Sequence, residues 1–481
     1  MRVLLRCDAS AGSGVGHLVR SLALAEAARD RGWPVALLGS VDAPLGRRLV
    51  HAAGLPVLPA GPLDAAAVAR LDADVLHVDH YGVDGDLRGH GPLVSSMEDG
   101  TFGRRAADVV VDSTLGAETE DRPDDGSGTV LRGVAYAPLR AAVRAARRLA
   151  RDPAGADDSP SDVLVVMGGT DAFGVGAAAA RLADRAGAPR IRVVAAGEAA
   201  ERVRALVPTA EVLGPQDDLP ALAATAGVVL SAAGTSVWEL ACVGAPTALV
   251  AVTENQRTGY ERAVAAGIAV GLGPLDAVRA ADPAAVAALA GLLTDPRRRA
   301  DLRTTGRALV DGLGADRVLD AWWAAGGRPV VAARPARATD GPLLLAWRND
   351  PATRTSSRTQ DVVPEDAHLR WLDGVLTDPD RVLLVVERTG SPVGTVRFDR
   401  ERDDLWEVSI TLAPTARGRG LAADVLAAGE QAWRERVGPG PAVLACVRPG
   451  NAASVRLFEA AGYRPAGIAG DGLDTFVRDG A

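Results

Sequence analysis

The chain has 481 residues, and all 53 of its basic residues are arginine, because no lysine is present. This composition excludes a P-loop ending in Gly-Lys-Ser/Thr, Schiff-base chemistry on lysine, and kinase-type catalysis that depends on a strand lysine. A net charge of −8 argues against a basic nucleic-acid-binding protein, and we predict no nucleic-acid partner. The length exceeds one domain of about 100–200 residues, so several domains are expected.

Cysteine spacing and hydropathy exclude further classes of protein. Cys7, Cys242 and Cys446 lie far apart and form no CxxC pair, so neither a disulfide framework nor a metal site is predicted. Arg6 interrupts the first apolar run too early for a signal peptide, and no uncharged apolar run reaches about 18 residues. We therefore expect a cytoplasmic protein with no membrane partner.

Short apolar strands alternate with amphipathic helices over residues 1–150. Strands are predicted at RVLLRCD, PVALLGS, VLHVDHY and ADVVVDS, and a helix over HLVRSLALAEAARDRGW. This alternation predicts a doubly wound parallel α/β sheet. The polar stretch RDPAGADDSP follows, and it is suited to a loop between domains.

A second alternation covers residues 160–327, with predicted strands SDVLVVM, IRVVAAG, AGVVLSAAG and PTALVAV. Two α/β halves of similar size predict a GT-B-like pair of domains. The segment GRPVVAARPARATDG predicts a linker at 328–340. Residues 341–481 then change to a smaller α+β pattern with strands RVLLVVE, VGTVRFD and WEVSITL.

A glycine loop follows the first strand. Arg6 and Asp8 precede it, it contains Gly14 and Gly16, and His17 comes directly after it. Glycines let the backbone approach a ligand, and amides at a helix start bind phosphate or an oxyanion. The positive end of the helix disfavours an imidazolium, so we expect a neutral His17 that can act as a general base. A tight turn without a ligand is the alternative interpretation of the loop.

Polar side chains cluster after the VLHVDHY strand, namely His77, Asp79, His80, Tyr81 and Asp84. Open α/β sheets bind ligands at the carboxyl ends of their strands. The cluster is therefore either part of a ligand site or a hydrogen-bonded strand end.

Two glycine turns stand in corresponding places in the second half. Gly169 lies in MGGTD, and Gly234-Thr235-Ser236 precede a helix with Glu239 in its first turn. The amides of this second turn can hold a diphosphate, and Glu239 can accept hydrogen bonds from ribose hydroxyls. A serine cap with a first-turn glutamate, a capping box, is the alternative.

The ordered set RCDAS, GVGHLVRSLALA, VDHYGVD, YAPLR, MGGTD, SAAGTSVWELACVGAPT and TENQ resembles the UDP-2,4-diacetamido-2,4,6-trideoxy-β-L-altropyranose hydrolases of pseudaminic acid biosynthesis, over about residues 1–325. The resemblance implies that His17 deprotonates water for inverting attack at the anomeric carbon, with loss of UDP. It implies that Tyr81 and Asn255 line the sugar site. Asp79 completes the predicted catalytic set, and the predicted UDP-sugar-binding residues are Arg6, Asp8, Gly14, Gly16, Gly169, Gly234, Thr235, Ser236, Glu239 and Gln256.

The last domain carries two motifs that resemble those of the GNAT acetyltransferases. One is a loop that matches [QR]-x-x-G-x-[GA], whose amides would bind the pyrophosphate of acetyl-CoA as co-substrate; it comprises Arg417, Gly418, Arg419, Gly420, Leu421 and Ala422. The other is a helix that begins with Asn451 and Ser454. It has Phe458 where the family often has a tyrosine that donates a proton to the leaving thiolate. Glu407 is either the base for the acceptor amine or an exposed strand carboxylate.

A hydrolase joined to an acetyltransferase predicts two consecutive steps on one chain. The first is N-acetylation of a UDP-4-amino-4,6-dideoxy sugar, and the second is hydrolytic release of UDP from the product. A GT-B glycosyltransferase joined to a GNAT domain of different amine specificity is the alternative enzyme. A nucleotide-sugar-binding scaffold without activity is the alternative of another class.

Overall fold

The computed structural model describes residues 1–10, 15–149, 162–168, 171, 174–216, 218–327, 330–470 and 472–480. The chain divides into two compact units, Met1–Gly326 and Gly327–Ala481, which we call the N-terminal and C-terminal units. Among the described residues, no helix is long and apolar enough to cross a membrane.

The N-terminal unit begins with a parallel sheet of order β3-β2-β1-β4-β5-β6-β7. Its central strands are apolar runs buried on both faces, as expected when helices cover both sides of a parallel sheet. The strands are β1 Val3–Arg6, β2 Val35–Leu38, β3 Val57–Leu58, β4 Val75–Val78, β5 Leu93–Glu98, β6 Val109–Asp112 and β7 Thr129–Arg132. The helices are α1 Gly16–Asp30, α2 Pro44–Ala53, α3 Ala65–Val68 and α4 Ala141–Leu149.

A second parallel sheet follows, with the order β10-β9-β8-β11-β12-β13. Its strands are β8 Val163–Val166, β9 Ile191–Val194, β10 Glu211–Leu213, β11 Val228–Ala232, β12 Thr247–Ala251 and β13 Val270–Pro274. Its helices are α5 Val175–Arg185, α6 Gly197–Leu206, α7 Leu219–Ala224, α8 Ser236–Val243, α9 Arg257–Ala265, α10 Leu275–Ala280, α11 Pro283–Thr294, α12 Pro296–Leu309 and α13 Gly314–Ala325. The prediction of an α/β protein with parallel sheets is confirmed.

Each half of the N-terminal unit contributes a helix to the other. Helix α4 follows the first sheet but packs Val143 into a core that it shares with Val237 of α8. Helix α13 follows the second sheet but buries Leu319 and Trp322 in the core of the first. The two sheets lie inside the ranges 1–150 and 160–327, and this helix exchange joins them into one unit.

The C-terminal unit is a largely antiparallel sheet of order β14-β15-β16-β17-β18-β20-β19, in which β17 and β18 are parallel. Its strands are β14 Val331–Pro335, β15 Arg381–Arg388, β16 Ser391–Arg402, β17 Leu405–Leu412, β18 Ala442–Val447, β19 Arg464–Ile468 and β20 Asp474–Arg478. Its helices are α14 Gly341–Asn349, α15 Pro351–Ser356, α16 Glu365–Thr377, α17 Ala422–Val437 and α18 Ala452–Ala460.

The predicted linker at 328–340 is wrong from the start of β14 onward. Val331–Pro335 pair with β15 in antiparallel register, and Val331 and Ala333 pack against the core of the unit. A 3₁₀ turn, Ala338–Asp340, then leads into α14. Proline and arginine gave this segment the composition of a linker, although its alternate small apolar residues already matched a strand.

Candidate functional site

His17 and Asp79 form a hydrogen-bonded pair where β1 and β4 end. His17 is the second residue of α1, and its Nδ1 lies 2.6 Å from Oδ1 of Asp79. A carboxylate only accepts, so Nδ1–H is the donor and the neutral ring carries its lone pair on Nε2. Nε2 has no hydrogen-bond partner among the described residues. The pair therefore has the arrangement of an oriented general base.

Arg20 stabilises this pair by binding Asp79. Its guanidinium is buried, and it donates to both oxygens of Asp79 at 2.5 and 2.7 Å and to both oxygens of Asp99 at 2.8 and 2.9 Å. Asp99 also accepts from the hydroxyl of Tyr81 at 2.5 Å. The buried side chain of Arg20 thus links Asp79, which is bonded to His17, with Asp99, which is bonded to Tyr81.

The pKa of His17 shifts in the direction opposite to the expectation. Burial disfavours the imidazolium, but the hydrogen bond and the charge of Asp79 outweigh it, so the pKa of His17 is raised above 6.5. The macrodipole argument predicted the opposite direction because it left Asp79 out. The Asp79 carboxyl itself is desolvated, but Arg20 and His17 hold its pKa well below the usual range.

Tyr81 lies directly beside the base. Its ring meets that of His17 edge-on, with centroids 4.6 Å apart. Burial and the charge of Asp99 raise the pKa of Tyr81, so the phenol stays protonated at neutral pH. The structure therefore brings the predicted residues His17, Asp79 and Tyr81 together.

Arg6 and Asp8 form an ion pair with each other, and the buried Nε of Arg6 has no hydrogen-bond partner among the described residues. Arg6 donates to both Asp8 oxygens at 2.6 and 2.9 Å, and the amide of Ser40 donates to Asp8 at 2.8 Å. His80 accepts from the amide of Gly82 through Nδ1 and therefore donates to Asp8 through Nε2 at 3.0 Å. Of the polar cluster after the VLHVDHY strand, His80 therefore takes part in a hydrogen-bonded strand end, while the role of Arg6 and Asp8 in binding the UDP-sugar stays a prediction.

The two halves approach each other at two helix N-termini. A Cβ atom placed on Gly16, the first residue of α1, would lie 3.4 Å from the hydroxyl oxygen of Thr235, which precedes α8. No side chain caps α8, so the capping-box interpretation of Ser236 is wrong. The amides of Thr235 and Ser236 have no partner within the described part of the chain. A helix start with such amides is a favourable place for an anion.

Glu239 and Gln256 border this second helix start. Glu239 is largely buried, 3.8 Å from a guanidinium nitrogen of Arg140, and burial raises its pKa. Gln256 ends a 3₁₀ turn, Glu254–Gln256, and its side-chain oxygen accepts from the amide of Val252 at 3.1 Å. Asn255 lies in the same turn. Gly14 and Gly169 lie outside the described residues.

The predicted acetyl-CoA loop precedes α17. Gly418 and Gly420 both have a φ of +72°, a conformation that favours glycine, and their amides have no acceptor among the described residues. Arg417 donates to Asp350 and to Thr353, each at 2.5 Å, so its side chain anchors the loop to α15. Arg419, Leu421 and Ala422 complete the turn into the helix.

Beside this loop, β17 and β18 separate. They pair in parallel only from Leu405↔Ala442 to Val408↔Ala445, and β17 then continues to Leu412 without β18 as a neighbour. The resulting opening between the strands begins at Val408 and lies next to the turn at 417–422. On that side residues 409–411 have no strand neighbour among the described residues and can bind an extended ligand, while the carbonyl of Leu412 accepts from Arg417 at 3.4 Å.

Glu407 lies at the apex of this opening. Its carboxylate accepts from Arg358 at 3.1 Å, and burial raises its pKa. Its side chain is only 13% exposed, so the alternative of an exposed strand carboxylate is wrong. Glu407 therefore combines the position and the raised pKa of a candidate base.

Helix α18 holds the second predicted motif. The side chain of Asn451 caps the helix by accepting from the amide of Ser454 at 3.2 Å. Phe458 is buried and packs edge-on against Tyr463 with centroids 5.1 Å apart. The motif residues of this helix therefore have structural contacts. Within the described residues, no group of three or more His, Cys, Asp or Glu side chains is arranged to hold a metal ion.

Residues 331–464 match the family model of the acetyltransferase (GNAT) domain. The C-terminal unit contains a GNAT acetyltransferase domain. The match begins at β14, inside the segment that the sequence predicted as a linker. No curated protein matches the sequence.

Solved structures similar to this chain include several acetyltransferases, with TM-scores near 0.28. A ribosomal-protein-alanine N-acetyltransferase from Brucella melitensis is 28% identical, over 30% of this chain and 96% of its own, with a TM-score of 0.27. The putative acetyltransferase YncA from Salmonella typhimurium, solved with acetyl-CoA, is 22% identical over 31% of this chain and 94% of its own, with a TM-score of 0.28. Spermidine N-acetyltransferase from Vibrio cholerae, solved with CoA and spermine, is 17% identical over 31% of this chain and 94% of its own, with a TM-score of 0.28.

Sequence reasoning missed Arg20 and Asp99 in the N-terminal unit and Arg358 in the GNAT domain. Arg20 stands one helical turn after His17, and this i, i+3 spacing puts both on one face of α1. That spacing was the available signal. Arg358 lies 49 positions from Glu407, and no local pattern links the two.

Proposed function

We propose that the chain catalyses two consecutive steps on one nucleotide sugar. The GNAT domain acetylates the 4-amino group of a UDP-4-amino-4,6-dideoxy sugar, with acetyl-CoA as co-substrate. The N-terminal unit then hydrolyses the resulting UDP-2,4-diacetamido-2,4,6-trideoxy sugar with inversion and releases UDP. The observation that carries the second step is the His17–Asp79 pair beside the two facing helix starts.

Hydrolysis follows from the free nitrogen of His17. Nε2 takes a proton from water, and the charge that forms on the ring is stabilised by Asp79 through Nδ1–H. The water oxygen bonds to the anomeric carbon as the bond to the UDP oxygen breaks. The leaving diphosphate is an anion, and the amides of Thr235 and Ser236 at the start of α8 favour an anion there.

Acetyl transfer follows from the loop and the strand opening. The free amides of Gly418 and Gly420 favour the CoA pyrophosphate, and the extended arm of CoA would lie where β17 continues without β18 as a neighbour. Glu407 takes a proton from the acceptor ammonium. The amine nitrogen then bonds to the acetyl carbonyl carbon, the bond from that carbon to sulfur breaks, and the second proton lost by the nitrogen passes to the thiolate, so that CoA leaves as a thiol.

Positive charge beside Glu407 supports an anionic acceptor. Arg348, Arg354 and Arg448 hold the loop at 357–360 by donating to its carbonyl oxygens, and none of the three makes an ion pair within the described residues. Their charges are therefore not compensated by carboxylates. A diphosphate-bearing amine is favoured at such a site over a polyamine.

The test is incubation of the full chain with acetyl-CoA and UDP-4-amino-4,6-dideoxy-β-L-AltNAc. We expect CoA, UDP and a free diacetamido sugar. Formation of a glycoside only with an added acceptor would identify a glycosyltransferase instead. Absence of both CoA and UDP would reject the proposal and leave a binding scaffold.

A further inference from the structure

Asp99 follows β5 and is bonded to two residues that adjoin the candidate base. Its side-chain oxygens accept from Arg20 at 2.8 and 2.9 Å, and one of them also accepts from the hydroxyl of Tyr81 at 2.5 Å. Its side chain is 31% exposed, whereas that of Asp79 is 1% exposed. Asp99 therefore adds a second carboxylate to the surroundings of His17, at the outer side of Arg20.

Arg20 divides its positive charge between the two carboxylates. Its guanidinium donates to both oxygens of Asp79 at 2.5 and 2.7 Å as well as to Asp99. Were Asp79 the only carboxylate, Arg20 would cancel the negative charge that stabilises an imidazolium on His17. Two carboxylates and one guanidinium instead leave one net negative charge while the ring is neutral, and none once the ring is protonated. We call His17, Arg20, Asp79 and Asp99 the charge cluster.

The protonation states around the base agree with this count. Burial opposes the ionisation of Asp99, but the charge and hydrogen bonds of the guanidinium bonded to it outweigh burial and lower its pKa. The phenol of Tyr81 is uncharged at neutral pH. His80 at the end of β4 also acts on His17, but burial and the charge of Arg6 lower the pKa of His80, so that its ring is neutral at pH 7.

We propose that Asp99 is a positioning residue for the hydrolytic step: its charge offsets that of Arg20, so that Asp79 can stabilise the protonated His17. The inference rests on the proposed function of the N-terminal unit and gives a role to a carboxylate that lies outside the His17–Asp79 pair. When Nε2 of His17 takes the proton from water, the new positive charge on the ring balances the net negative charge of the charge cluster. No other group of the cluster gains or loses a proton in this step.

NMR titration of the full chain with ¹³C-labelled histidine tests this role, together with the rate of UDP release at each pH. His17→Gln identifies the His17 signal. Asp99→Asn removes the charge but keeps the shape and an acceptor oxygen, and Asp99→Ser removes the charge with a smaller side chain. We expect the His17 midpoint to move to lower pH in both variants, but less than in Asp79→Asn, because Asp99 is not bonded to the ring. UDP release at high pH should fall about tenfold, since the base becomes weaker.

Three controls separate charge from shape. Asp99→Glu keeps the charge, and Tyr81→Phe keeps the ring and the charge of Asp99, so both should titrate close to the wild type. Asp72→Asn changes an exposed carboxylate that pairs with Arg2 before β1, and it should also leave the midpoint unchanged.

An unmoved His17 midpoint in Asp99→Asn or Asp99→Ser overturns the proposal. An equal shift in Tyr81→Phe overturns it as well, because Asp99 would then act by holding the phenol and not by its charge. A wild type that releases no UDP from the acetylated UDP-sugar rejects the proposed hydrolysis, whereas the NMR midpoints still decide whether Asp99 acts on His17.

Discussion

Nδ1 of His17 donates to Oδ1 of Asp79 across 2.6 Å, and this contact joins the start of α1 to the end of β4. The bond fixes the tautomer of the imidazole and leaves Nε2 to act on water. It also ties the protonation of the base to a carboxylate that is almost completely buried.

Asp79→Asn should reduce UDP release by about a hundredfold or more, because an amide can hold the ring in the wrong tautomer. Acetylation should continue at the wild-type rate. The two rates are measured separately, from UDP by chromatography and from CoA by thiol reagent. Wild-type UDP release in this variant would remove Asp79 from the mechanism.

The pH dependence of UDP release should report the same contact. A base acts when deprotonated, so the rate should rise with pH through the raised pKa of His17, with a midpoint above 6.5. Loss of the Asp79 charge destabilises the imidazolium, so the midpoint should move to lower pH in Asp79→Asn. A midpoint that does not move between the two proteins contradicts the assignment.

Arg20→Met should strongly destabilise the N-terminal unit. It leaves Asp79 and Asp99 buried without their shared cation, which costs about 3–5 kcal/mol. Arg202→Ala removes an exposed pair with Glu198 and should cost less than about 1 kcal/mol. Urea unfolding of both variants, followed by circular dichroism, makes the comparison. Equal midpoints would show that the buried network adds nothing to stability.

Alanine at Gly418 or Gly420 should weaken acetyl-CoA binding. Both positions need a left-handed backbone, which costs an alanine about 1–2 kcal/mol, so the KM for acetyl-CoA should rise about tenfold. Gly374→Ala is the matched control, since Gly374 lies inside α16 with open space around its Cβ position. That change should leave the KM unaltered and stabilise the helix by about 0.5–1 kcal/mol. The loop assignment is wrong if all three variants behave alike.

Glu407→Gln should abolish most acetyl transfer near neutral pH. Because burial raises the pKa of Glu407, the wild-type rate should fall on acidification with a midpoint above the ordinary 4.5. Asp403→Asn changes a fully exposed carboxylate after β16 and should have no effect. Initial rates of CoA formation between pH 4 and 9, compared among the three proteins, test whether Glu407 is the base. A Glu407→Gln enzyme with an unchanged profile would show that another group or water takes the proton.

Much of the fold followed from local pattern. Buried parallel strands such as β1 and β4 are apolar runs, and the helices that begin at Gly16 and Ser236 follow glycine-containing sequence. The strand β14 was hidden because Pro335 and its arginine neighbours match linker composition, and only pairing with β15 makes the segment a strand.

The site was predictable where its residues follow one strand or one turn, as His17, Asp79 and Tyr81 do. It was not predictable where partners are distant in sequence. Arg417 matched a phosphate-binding pattern, yet Asp350 and Thr353, more than 60 positions earlier, occupy its guanidinium. The pKa of His17 was mispredicted for the same reason, since Asp79 lies 62 positions away.

Hydrolysis of the acetylated UDP-sugar in ¹⁸O-water, with mass spectrometry of both products, tests the central claim most directly. Attack by water that His17 activates at the anomeric carbon puts ¹⁸O on the sugar and none in UDP, and NMR should show the inverted anomer first. The label in UDP would mean cleavage at phosphorus, and unchanged UDP-sugar would mean no hydrolase. Either result would contradict the role given to the His17–Asp79 pair.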